Sequence, residues 1–132
     1  MDTIKSFISD PSLPESSEFK KANTFERRSN EAVRIKLKYP KRVPVVVDVH
    51  PSDRHEIALD KHKFLTPSDL GVSQFIYVIR KRIRLPPEKA LFIFTGDQTL
   101  PGTQELMSSL YKNHKDPDGF LYLTISLEKT FG

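Results

Sequence analysis

Serine, histidine and aspartate all occur in this chain, yet none sits in a local context that would make a catalyst. No glycine-framed nucleophile elbow surrounds a serine, so no catalytic residues and no enzymatic activity are expected. His50, His55, His62 and His114 are spaced irregularly and match no metal-ligand pattern; they read as surface residues, with no metal and no cofactor expected. The basic run Arg80-Lys81-Arg82-Ile83-Arg84 reads as a solvated helix face, because no aromatic platform or nucleic-acid motif joins it. No cysteine is present, which removes thiol nucleophiles, thiolate metal sites and disulfides and makes a reducing cytosol the simplest home. What remains is the end, Thr130-Phe131-Gly132. A terminal glycine arises by chance in about one chain in fourteen at an average usage of ~7%. Alone it is therefore weak evidence, though a residue without Cβ at the end of an extended tail suits a carboxylate that must enter a narrow active site.

The elements that must present such a tail follow from the rest of the chain. With 132 residues, 37% hydrophobic and 10% aromatic, one domain with a real core is expected. The 21 Lys and Arg exceed the 17 Asp and Glu, a mild excess that suits acidic peptides or anionic membranes as partners. No apolar run approaches the ~18 residues of a membrane-spanning helix, and residues 1–9 lack the apolar stretch of a signal peptide. Residues 1–17, with Asp10, Pro11, Pro14 and the serines Ser9, Ser12, Ser16 and Ser17, read as a mobile arm that propagates neither helix nor strand.

Residues 18–40 form a helical subdomain of two short surface helices, capped by Thr24, with Ala32, Ile35 and Tyr39 on one side. Val45-Val46-Val47-Asp48-Val49 is a buried strand, and Lys63-Phe64-Leu65-Thr66, closed by Pro67, is a second one suited to an edge. Val72 to Leu85 places Val72, Phe75, Ile76, Ile79 and Ile83 on one face of a helix that Pro86-Pro87 ends. Phe75, Val78 and Ile79 on such a stripe are core residues by default. Ala90 to Phe94 is a third strand, with a turn at Thr95-Gly96-Asp97. Thr103 caps a helix running to about His114 with Leu106, Met107 and Leu110 inward. Asp116-Pro117-Asp118-Gly119 turns into a last strand, Phe120 to Leu127, which completes a core of residues 41–127 and leaves 128–132 as a tail. Strand, strand, long helix, strand, short helix, strand is the order of an α+β fold, the β-grasp.

Several stretches carry a resemblance: Phe25-Glu26-Arg27-Arg28, Tyr39 to Val47, Lys63 to Leu70, Gln74 to Ile83, Leu85-Pro86-Pro87-Glu88-Lys89-Ala90, Asp118 to Tyr122, and the terminal Thr130-Phe131-Gly132. Over about residues 18 to 132 the chain resembles the GABARAP-type family of ubiquitin-like autophagy modifiers. It departs from that family in its long N-terminal arm. It departs again at Gly96 to Gly102, which is about a residue longer than usual and has Gly102 where a second proline is common.

The resemblance implies a ubiquitin-like β-grasp with a four-stranded sheet, two core-packing helices and two additional N-terminal helices. It implies conjugation of Gly132 to phosphatidylethanolamine by autophagy activating and conjugating enzymes, and a cysteine protease that processes and deconjugates the chain. The two acyl chains so acquired, at ~0.8 kcal/mol per buried methylene, give stable anchoring. It also implies an adaptor that recruits receptors with an aromatic-x-x-aliphatic motif by β-augmentation on the Lys63–Thr66 edge. The aromatic pocket comprises Glu31, Ile35, Pro44, Val46, Lys63, Leu65 and Phe120. The aliphatic pocket comprises Phe64, Thr66, Pro67, Leu70, Phe75 and Val78, with Thr66 where the family often has Val. Arg42, Lys61, Lys63 and Arg82 surround the groove and attract acidic residues flanking the motif. The implied locations are cytoplasm, autophagosome membrane, and vacuole or lysosome. The alternatives are an unconjugated ubiquitin-like peptide-binding module and a basic nucleic-acid binder.

Overall fold

The β-branched run lies at the centre of a mixed sheet. The computed structural model describes the backbone of Lys5–Ser6 and residues 19–127; the rest of the arm and the tail with Gly132 lie outside the described residues. Strands β1 (Lys5–Ser6), β2 (Arg42–Val49), β3 (Lys63–Pro67), β4 (Phe92–Thr95) and β5 (Leu121–Ser126) are ordered β1-β3-β2-β5-β4. The β2–β5 pair is parallel and the others are antiparallel. The four strands of the expected sheet are thus present. Part of the arm, read as propagating no structure, adds a short fifth strand along the outer edge of β3.

Because strand side chains alternate between faces, β2 serves two cores at once. Val43, Val45, Val47 and Val49 join Phe64, Phe75, Ile79, Met107, Leu110, Leu121, Leu123 and Ile125 in the main core, under α3 (Val72–Ile83) and α4 (Met107–His114). Val46 faces the other way, into a smaller core with Leu65, Phe120 and three residues of the N-terminal helices, Phe19, Ala32 and Ile35. Those helices are α1 (Phe19–Ala22) and α2 (Phe25–Lys38), and α2 begins as expected, with Thr24 Oγ1 accepting the Arg27 amide at 3.1 Å.

Several boundaries differ from expectation. Helix α3 stops at Ile83 and not Leu85, because Arg84 adopts the left-handed conformation (φ 54°) just before the proline pair. Strand β4 starts at Phe92, two residues after Ala90. Helix α4 starts at Met107, and Thr103 does not cap it: Thr103 instead accepts the Ser73 amide through its carbonyl, tying this loop to the start of α3. Leu106 therefore sits outside the helix and is exposed, whereas Met107 and Leu110 point inward as expected. The turn after β4 forms, with Gln98 at φ 64°; hydrogen bonds from the Thr95 side chain, then from Thr99, hold the Asp97 carboxyl at about 2.

Gly119 closes the Asp116–Gly119 turn at φ +96°, and a Cβ there would lie 2.9 Å from Ala32 Cβ on α2. Gly119→Ala combines left-handed strain with a steric clash and is expected to destabilise the chain by about 2 kcal/mol or more, read as a lower denaturant midpoint at unchanged m-value.

Candidate functional site

The outer edge of β3 lies between two cores, and Pro44 turns the backbone groups of Leu65 toward it. Pro44 is the cross-strand partner of Leu65 and has no N–H, so these two residues cannot exchange the paired bonds of an antiparallel ladder. Those bonds fall at Val43↔Thr66 and Val45↔Phe64. The N–H and C=O of Leu65 therefore point away from β2, toward the edge. Arg42 Nη1 donates to the Leu65 carbonyl at 3.0 Å, one arm of the cation at the groove's rim.

Every residue expected in the aromatic pocket lies on the α2 side of this edge, and all seven are buried. Glu31 and Lys63 are each 1% exposed, with Lys63 Nζ 3.6 Å from Glu31 Oε1. Among the described residues, neither Glu31 oxygen accepts a hydrogen bond within normal distance. A carboxylate held dry with open lone pairs is a ready acceptor for an N–H or O–H that enters from the edge.

Sequence reasoning missed Phe19, which packs from α1 into the same buried cluster as Ile35, Val46, Leu65 and Phe120. Its ring packs edge-on against Phe120 with centroids 5.3 Å apart, and Lys63 Nζ lies 5.1 Å from its centre. The signal available was modest: one aromatic residue in the otherwise polar stretch Glu18–Thr24. Helix α1 is too short to stand alone, and several contacts hold it. Asn23 Nδ2 donates to the Phe19 carbonyl at 2.9 Å, Arg28 Nη1 to the Lys20 carbonyl at 2.9 Å, and Lys20 Nζ to Asp116. Beneath them Asp118 accepts the Tyr122 hydroxyl and the Phe120 amide, and forms an ion pair with Arg28, whose Nε lies 3.2 Å from Oδ2. Burial pushes the Asp118 carboxyl up despite those donors, and burial together with Asp118 pushes the Tyr122 hydroxyl far up.

On the α3 side, Phe64, Thr66, Leu70 and Phe75 are buried and Pro67 and Val78 half-buried, so the six residues expected for the aliphatic pocket also converge. Phe64 and Phe75 meet edge-on at 6.4 Å and belong to the main core, consistent with the default reading of Phe75 and Ile79. Of the expected flanking cations, Arg42, Lys61 and Arg82 are partly exposed. Arg82 lies over the Phe64 ring and 3.6 Å from Asp60, and Lys63 is turned inward to Glu31.

A second feature concerns the tail. Asp53, at the end of the 3-10 turn Pro51–Asp53, accepts the Ser126 hydroxyl at 2.8 Å and the Leu127 amide at 3.1 Å through Oδ2. The root of the C-terminal tail is thereby fixed at the point where it leaves β5.

A mixed sheet grasping one long helix, with the root of the C-terminal tail tethered by Asp53, defines a ubiquitin-like protein of the β-grasp class. The model for "Autophagy protein Atg8 ubiquitin like" matches residues 27–132. "Autophagy-related protein 8" of Mycosarcoma maydis is 56% identical over 117 residues, covering 88% of this chain and 97% of that one. "Autophagy-related protein 8e" of Arabidopsis thaliana is 57% identical over 115 residues, covering 86% and 92%. Among solved structures, the crystal structure of Trypanosoma brucei ATG8 aligns with a TM-score of 0.78 at 41% identity, covering 89% of this chain and 99% of that one. The chain belongs to the Atg8 family and is a ubiquitin-like protein of autophagy.

Proposed function

We propose that this protein is a modifier conjugated through Gly132 to phosphatidylethanolamine on autophagosomal membranes, where its β3 edge recruits cargo receptors and machinery. Activating and conjugating enzymes and a processing cysteine protease supply the chemistry that the chain lacks. The observation that supports the receptor half is the outward-facing backbone of Leu65 set between two apolar cores. An extended peptide gains affinity from the backbone and specificity from two side chains on opposite faces. The open lone pairs of Glu31 favour an aromatic residue that carries a donor, such as the indole N–H of Trp.

Calorimetric titration with the peptide Asp-Glu-Asp-Trp-Ser-Ser-Leu tests this reading. Replacing Trp by Phe removes one hydrogen bond to a charged acceptor and is expected to weaken binding about tenfold. Replacing either Trp or Leu by Ala should leave no measurable binding. Equal affinity of the Ala-substituted peptides would overturn the two-pocket reading.

A further inference from the structure

The edge that a receptor peptide would use already has an occupant. Strand β1 lies antiparallel on β3 with Lys5 opposite Leu65 and Ser6 opposite Phe64, on the side to which the Leu65 backbone groups point. Two residues of pairing are weak in isolation, but the arm is tied to the domain through Phe19, whose ring is buried in the aromatic-pocket wall. A tether of this length gives an effective concentration in the millimolar range, enough for a weak strand to compete with a soluble ligand. Charge works in the same direction. The arm carries Asp2, Asp10 and Glu15 against the single base Lys5, while the chain as a whole is basic. In the sequence, moreover, the paired residues stand between Ile4 and Phe7, an aliphatic and an aromatic residue three apart. That is the spacing of the receptor motif with the order of its two residues reversed.

We propose that the N-terminal arm is an intramolecular competitor of receptor peptides: β1 occupies the Leu65 edge, and a receptor binds only when the arm is released. This rests on the receptor reading above. The apparent dissociation constant of the full chain then exceeds that of the open edge by the reciprocal of the open fraction. An arm docked three-quarters of the time raises it about fourfold.

The test titrates the Trp-containing peptide into the full chain, a chain lacking residues 1–17, and a full-length Lys5→Pro/Ser6→Pro variant, whose arm can no longer donate backbone hydrogen bonds. Exchange of the Leu65 amide is followed in all three without peptide. The expected result is a severalfold tighter affinity in both altered chains, with faster Leu65 exchange. Equal affinity in all three, with equal Leu65 protection, would overturn the competition and leave the receptor reading standing. Absence of binding in every chain would instead overturn the receptor reading and, with it, the competition, whatever the exchange data show about arm docking.

Discussion

A chain lacking Gly132 is expected to leave a complete conjugation reaction with its mass unchanged, while the full chain gains the mass of one phosphatidylethanolamine. The reaction contains cognate activating and conjugating enzymes, ATP and phosphatidylethanolamine liposomes, and the readout is intact mass. The expected loss is total for two physical reasons. First, the reacting carboxylate moves onto Phe131, whose ring stands where an active site shaped for glycine has no room for a Cβ. Second, the tail has a fixed root. Because Asp53 holds Ser126 and Leu127, only residues 128–132 can reach into the enzyme, and at ~3.4 Å per extended residue the loss of one removes about a fifth of a reach of roughly 17 Å. Asp53→Ala, which frees the root without shortening the tail, should slow conjugation and not abolish it. An unchanged mass of the full chain, with enzymes active on a reference modifier, would favour the unconjugated peptide-binding module.

Legibility in the sequence followed how local the determining physics was. Strand β2 was legible because four valines flank one aspartate in a short run, and α3 because its apolar residues recur with helical spacing. The cap at Thr24 was legible because a cap needs only a hydroxyl and the amide three residues on. Thr103 has the same local chemistry and failed, because its loop is committed to a bond with Ser73 across the fold. The pocket residues came from family resemblance, since no periodicity tells a pocket wall from a core. Burial of all of them but Pro67 and Val78 explains that ambiguity, because wall and core would be one packing. The same burial makes Phe64→Ala a poor probe of binding: a fully buried ring in the main core costs about 3–5 kcal/mol to truncate. Phe19 in the second core had only a modest local signature, and the Asp53 clamp on the tail and β1 on the edge of β3 had none. Each joins residues far apart in the chain.

Glu31→Ala is expected to be among the most destabilising single substitutions in this chain, at about 3–5 kcal/mol, because it strips the Lys63 ammonium of the carboxylate beside it in a site that water scarcely reaches. The loss should appear as a fall in denaturant midpoint, with Lys63→Ala giving a loss of similar size from the other side of the pair. The double substitution Glu31→Leu/Lys63→Met distinguishes pairing from packing. If the pair is held by mutual compensation, two apolar residues of matching volume restore stability to near that of the parent chain, with a coupling energy of several kcal/mol in the double-mutant cycle. Additive losses would show instead that each side chain contributes through its own packing. The same variant separates stability from recognition. It keeps the apolar walls of the pocket but removes the acceptor, so the Trp-containing peptide should fall to the affinity of the Phe-containing one, and the tenfold difference between them should vanish. A buried ion pair that a pair of apolar side chains can replace without loss of stability, but not without loss of discrimination, is retained for what it recognises.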